Sequence, residues 1–276
     1  MSIIENIIYG FVTGLTELLP VSSRGHQMLL RYLFGAEARN PLQEFLVHIG
    51  ILLSILVGCR EIIVRLRREQ KAIAGSGRRR NRSLDLKSYY DLRLLKTATI
   101  PLIIGLFLTF ITEKSETRLL TVMAFLLINA LVLFIAEHSQ HGNRDARTMT
   151  GFDGILMGVL GSLSVFPGIS RTGMISAYAT IRGAETKNVA NWAFILGIPA
   201  VLFLIFFDLI GIFSVGVGVF SFAALLGYIF AGIFAFLGGY LSIAILQTFL
   251  SHYGFSYFAY YSVGAALFSF ALYLIT

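Results

Sequence analysis

Arg171 lies in an otherwise apolar stretch, in the segment Pro167-Gly168-Ile169-Ser170-Arg171-Thr172-Gly173. A guanidinium in such surroundings is costly and is retained where it serves a transport path or an anionic ligand. Its planar fork matches phosphate oxygens, and Ser170, Thr172 and the backbone amides around Gly168 and Gly173 would add donors. The competing readings are an arginine that snorkels to an interface or one that pairs with a buried carboxylate. A second polar interruption, Gly14-Leu15-Thr16-Glu17-Leu18-Leu19-Pro20-Val21-Ser22-Ser23-Arg24-Gly25-His26, supplies a carboxylate, two serines, another arginine and a histidine. Histidine exchanges a proton near neutral pH, and a neighbouring carboxylate can hold it in the needed tautomer. Glu17, His26, Ser23 and Arg171 facing one cavity, with Ser22, Arg24 and Ser170 as further phosphate contacts, would make a phosphoryl-transfer or hydrolysis site. Taken alone, His26 reads equally as a satisfied interfacial histidine. His48 reads as a helix-buried, hydrogen-bonded residue, with a place on the pocket wall as its alternative.

The elements that must position these groups are membrane helices. Hydrophobic residues make up 56% of the 276 and charged residues 13%, about half the share usual in a soluble domain. The 68 residues from 209 to 276 contain no Lys, Arg, Asp or Glu. The chain therefore reads as an all-α polytopic membrane protein, which excludes a secreted disulfide scaffold, a cytosolic enzyme and a DNA-binding domain. Six crossings are expected, at 46–57 extended upstream from about 41, 97–111, 119–136, 189–207, roughly 217–246 and 257–275. Two further apolar stretches, about 3–34 and about 153–181, are broken by Pro, Gly, Ser and Arg and read as re-entrant hairpins.

The two hairpins share a pattern. Pro20-Val21-Ser22-Ser23-Arg24 and Pro167-Gly168-Ile169-Ser170-Arg171 are both PxxSR, 147 residues apart, and the same offset pairs Gly14 with Gly161, Phe45 with Trp192 and Gly50 with Gly197. This suggests an internal duplication within a single membrane domain, residues 1–147 and 148–276. Of the 22 basic residues, 12 lie in 60–96 beside four acids, so the formal charge of +7 is essentially one loop. Such a loop belongs on the cytoplasmic side near anionic headgroups, and without an aromatic platform it does not read as a nucleic-acid site. Counting crossings from it puts 113–118 outside and 137–150 inside. The hairpins then enter from opposite faces as inverted repeats, and their PxxSR turns meet near the midplane around an anion. The single Cys59 excludes an intramolecular disulfide, and the N-terminus lacks the basic region of a secretion signal.

At these motifs the chain resembles the undecaprenyl-diphosphate phosphatases, the bacitracin-resistance family. Both interrupted segments carry the likeness, joined by Phe45-Leu46-Val47-His48-Ile49-Gly50, Asp153 and Ile195-Leu196-Gly197-Ile198-Pro199. The resemblance implies an inverted-repeat fold of about six transmembrane helices and two re-entrant hairpins, in a bacterial plasma membrane. It implies a pocket open to the outer face and release of phosphate from undecaprenyl diphosphate, a long-chain prenyl diphosphate lipid. By position, Glu17 would be the second acid of the family's acidic pair, Ser23 a phosphate-binding or nucleophile residue, His26 the proton-transfer or nucleophile residue, and Arg171 the diphosphate clamp. A divalent cation, Mg2+ or Ca2+, would screen the diphosphate, with Glu17 as its protein ligand. Membrane lipids are the surrounding partners, and a homodimer is left open. Two positions depart from the pattern: Thr13 stands where the family usually has Glu or Gln, and Arg24 where it usually has Ser or Thr. Thr13 removes an acid from the pocket, while Arg24 adds a cation suited to phosphate. A transporter or flippase of a phosphorylated prenyl lipid, without hydrolysis, is the alternative that inverted repeats and a missing acid allow.

Overall fold

The computed structural model describes residues 1–36, 39–75, 86–112, 118–139, 142–215 and 222–275. Much of the loop expected at 113–118, the middle of the basic segment and the first residues expected for the span at 217–246 lie outside them. The described chain is helical: α1 Ile3–Leu18, α2 Ser23–Leu33, α3 Pro41–Gly58, α4 Arg60–Gly75, α5 Leu86–Leu106, α6 Thr109–Thr112, α7 Leu119–Glu137, α8 Gly151–Ser162, α9 Arg171–Ile181, α10 Thr186–Val215, α11 Phe222–His252 and α12 Ser256–Ile275. Six helices are long and apolar enough to cross a bilayer: Pro41–Gly58, Tyr89–Thr112, Leu119–Glu137, Thr186–Ser214, Ala224–His252 and Ser256–Ile275. They fall on the six stretches expected from hydropathy. α1, α2, α8 and α9 are shorter, with 16, 11, 12 and 11 residues.

Local sequence explains where the short helices begin. Ser2 caps α1 and Thr150 caps α8, each in a reciprocal capping box with the acid three residues on, Glu5 and Asp153. Ser22 caps α2 by accepting from the Gly25 amide, and Ser170 caps α9 by accepting from the Gly173 amide. These landmarks stand 148 apart, not 147: Ser2 with Thr150, Glu5 with Asp153, Ser22 with Ser170, and the left-handed Gly35 with Gly183. The PxxSR match is thus one residue out of the structural register. Arg171 occupies the place of Ser23, and Arg24 that of Thr172.

Packing follows the same pairing. α1 runs parallel to α11, where an added Cβ on Gly10 or Gly14 would come within 2.0 Å of the Ala231 carbonyl oxygen or 2.1 Å of that of Ala235. α8 runs parallel to α5, with Gly158 as close to Ala98. In a membrane, such small residues let backbones approach and gain dispersion contact that lipid cannot supply. Asp91 on α5 accepts from Trp192 on α10 at 3.0 Å and pairs with Arg65 on α4 at 2.9 Å, which makes Trp192 a buried polar tie at the base of the bundle.

The two hairpin turns are bonded directly to each other. The Gly168 amide donates to Ser22 Oγ at 2.9 Å, and Ser170 Oγ donates to the Leu19 carbonyl at 3.0 Å. Asn129 on α7 bridges them, accepting from the Ser170 amide at 3.0 Å and donating to the Pro20 carbonyl at 2.9 Å. A break between two short helices frees backbone groups that need partners, and here each break satisfies the other.

Candidate active site

A cavity of about 800 Å³ extends from these turns toward the ends of α2 and α5, away from the basic segment. Its walls include Glu17 at the end of α1, Ser23, Arg24, Gln27 and Arg31 on α2, Arg39 before α3, His48 on α3, and Ser170 and Arg171 at the start of α9. Arg171 is 4% exposed and its Nη1 pairs with Glu17 Oε1 at 3.0 Å. The other two guanidinium nitrogens, Nε and Nη2, are buried with no hydrogen-bond partner among the described residues. Gly197 makes room for this group, since a Cβ there would sit 3.1 Å from Nη2. Unpartnered donors on a buried cation are expensive, so the geometry calls for an anion at Arg171.

Arg24 also lines the cavity, donating to the Val165 carbonyl and to Thr109 Oγ1, both at 3.2 Å. With Arg31, Arg39 and Arg171 it places four arginines on the walls against one carboxylate reaching the cavity, Glu17. Ser23 reaches the cavity while its hydroxyl donates to the Thr13 carbonyl at 3.4 Å. His48 has its Nδ1 2.6 Å from Asp208 Oδ2, and Asp208 is paired on its other oxygen with Arg39.

Several residues singled out in the sequence lie elsewhere. His26 does not line the cavity. Its Nδ1 donates to the Ser22 carbonyl at 2.7 Å, and its Nε2 meets the Tyr261 hydroxyl of α12 at 2.8 Å, with the rings stacked. Thr13 is sealed in the bundle with its hydroxyl unpaired, and it contributes only its carbonyl, to Ser23. Ser22, Gly168, Gly173 and Thr172 are taken up in holding the turns. The Gly168 amide goes to Ser22 Oγ, the Gly173 amide to Ser170 Oγ, and Thr172 Oγ1 donates to the Glu17 carbonyl at 3.2 Å. Ser170 reaches the cavity, but its hydroxyl is likewise engaged. Asp153, expected as a helix cap, is one, and it also accepts from Tyr178 and Arg182 at 2.8 and 2.6 Å.

Sequence reasoning missed Gln27, Arg31, Arg39 and Asp208. A signal for the first two existed: Arg24, Gln27 and Arg31 are spaced i, i+3, i+7, one face of a helix. Asp208 and Arg39 carried none, because their partners come from a different helix and loop.

A divalent cation was expected here. Among the described residues no group of three or more His, Cys, Asp or Glu converges as a metal site, and Glu17 is engaged by Arg171. The donor set on the walls is cationic, and it does not fit a cation held by protein ligands alone.

The model of the family described as bacitracin resistance protein BacA matches residues 6–268. An undecaprenyl-diphosphatase of Alkaliphilus metalliredigens is 33% identical, over 99% of this chain and all of that protein. Proteins of the same name from Carboxydothermus hydrogenoformans and Thermosipho africanus are each 30% identical. The first alignment covers 95% of this chain and 94% of that protein, the second 96% and 98%.

Proposed function

This chain belongs to the bacitracin resistance protein BacA family, and from that membership we propose that the arginine-lined cavity is where undecaprenyl diphosphate loses its terminal phosphate. The protein is a multi-pass membrane hydrolase that dephosphorylates undecaprenyl diphosphate. The transport alternative is not favoured, since relatives covering nearly the whole chain are named for diphosphatase activity.

The observation that carries the site assignment is Arg171, a guanidinium on the cavity wall with Nη1 on Glu17 and with Nε and Nη2 buried without a partner among the described residues. A diphosphate seated beside Arg171 supplies an anion for its buried guanidinium, and Arg24, Arg31 and Arg39 add positive charge as the headgroup enters. Charge growing on the phosphoryl oxygens during P–O cleavage is stabilised by guanidinium groups already in place. Glu17 aligns Arg171, and Ser23 brings a hydroxyl to the cavity wall. A divalent cation, if bound, would screen the diphosphate charge, and Glu17 would be the only carboxylate on the cavity wall among the described residues to meet it. His26 takes part once Tyr261 releases it. Entry from the outer face is supported by the cavity's course away from the basic segment. The duplication is supported by the 148-residue register.

Purified protein should release phosphate from undecaprenyl diphosphate in detergent micelles, and Arg171→Ala should reduce kcat/KM by about a hundredfold or more. Arg171→Ala turning over like wild type would remove the assignment.

A further inference from the structure

Two histidines lie near the turns, and they differ in what their nitrogens are free to do. Both nitrogens of His26 are committed to protein, to Ser22 and to Tyr261. In His48 only Nδ1 is committed, to Asp208 Oδ2 at 2.6 Å. His48 Nε2 has no hydrogen-bond partner among the described residues, is not among the sealed polar atoms, and belongs to a side chain on the cavity wall. Asp208 is fully buried and Arg39 donates to its other oxygen, which leaves Oδ2 to accept from His48 Nδ1. The proton of neutral His48 therefore sits on Nδ1, and the lone pair of Nε2 faces the cavity that holds Arg171 and Glu17.

We propose that His48, oriented by Asp208, is the general base of the hydrolysis. Nε2 takes a proton from the attacking water as its oxygen bonds to the terminal phosphorus. The bond from that phosphorus to the bridging oxygen breaks, with its electron pair leaving on the prenyl monophosphate, and the imidazolium then returns its proton to the released phosphate. Asp208 stabilises the imidazolium and fixes the tautomer, as a positioning residue. Other charged groups act on His48. Arg39 contacts the same carboxylate; Glu44, one turn earlier on α3, is held by Tyr9 and Gln27; and Glu17, Arg171, Arg24 and Arg31 share the cavity. The assignment rests on the diphosphatase reading above.

The test is phosphate release from undecaprenyl diphosphate across about pH 5 to 9, for wild type, His48→Gln, His48→Ala and Asp208→Asn. His48→Gln should lose about a hundredfold or more in kcat at little change in KM, and with it the acid limb of the pH profile. Added imidazole should restore part of the turnover of His48→Ala. Asp208→Asn should lose more than about tenfold, because its amide can donate to Nδ1 and favours the wrong tautomer. Binding of a methylene diphosphonate analogue should be kept in His48→Gln. Turnover of His48→Gln within about threefold of wild type with the acid limb intact overturns the dyad alone. Loss of analogue binding in that variant makes His48 structural and also overturns it. A wild type that releases no phosphate at any pH removes the hydrolase reading, and the dyad with it.

Discussion

Gly168 holds φ at +119°, and a Cβ there would lie 2.5 Å from Phe125 Cβ and 2.8 Å from the Leu126 amide nitrogen. Neither the torsion nor the space admits a side chain, and the same residue donates the amide that ties the two turns. Gly168→Ala should therefore lower the melting temperature in detergent by an amount reflecting about 1–3 kcal/mol, with phosphate release falling in step. Arg171→Lys keeps the charge but not the fork, so it should retain folding and the Glu17 pair while losing most turnover. Arg171 was legible in the sequence because a charge amid apolar residues needs a reason to be there. The roles of Gly168, Gly173 and Ser22 were not, since their hydrogen-bonding groups could serve a ligand or each other. For Gly168 and Ser22 the choice is settled only by their contact, 146 positions apart in sequence. The resting partners of His26 were not legible either, the second being Tyr261 on the last helix.

At the scale of elements, the two short hairpins are stable because their breaks interlock, and Asn129 is the bridge that served no motif in the sequence. Asn129→Ala leaves the Ser170 amide and the Pro20 carbonyl unpaired, so it should cost about 1–3 kcal/mol for each group, read as a lower unfolding midpoint. Asp153 anchors the far end of the second hairpin. Burial alone would push its carboxyl up, but hydrogen bonds from Arg182, Thr150 and Tyr178 outweigh this and hold it well below the usual carboxylate range. A carboxylate with a depressed folded-state pKa stabilises above its unfolded value of about 3.9, and that contribution is lost as pH falls further. Asp153→Asn should accordingly lower the midpoint near neutral pH and narrow the gap to wild type under strong acid. The six long spans were legible because length and hydropathy suffice to define them. The register of the hairpins was not. The PxxSR match ran at 147, and capping boxes, caps and left-handed glycines set it at 148. Arg24 and Arg171 stand one position apart in that spacing.

At the scale of the whole molecule, charge among the described residues is divided by face: the basic residues of α4 and of the first half of α5 gather at one end of the bundle, and the cavity leads to the other. With that segment cytoplasmic, Ala36→Cys at the cavity mouth should react with a membrane-impermeant maleimide added to intact cells, whereas Lys71→Cys should not. Cys59 adds no background, because burial pushes its thiol up to about 12. The central claim is that two broken helices, tied to each other, leave one buried guanidinium with two donors for a diphosphate. It is tested most directly by binding, without turnover, of a methylene diphosphonate analogue of the prenyl diphosphate to wild type and to Arg171→Ala. A rise in Kd of about thirtyfold or more is predicted for the variant, with its fold retained. Equal affinity in the two proteins would contradict the account.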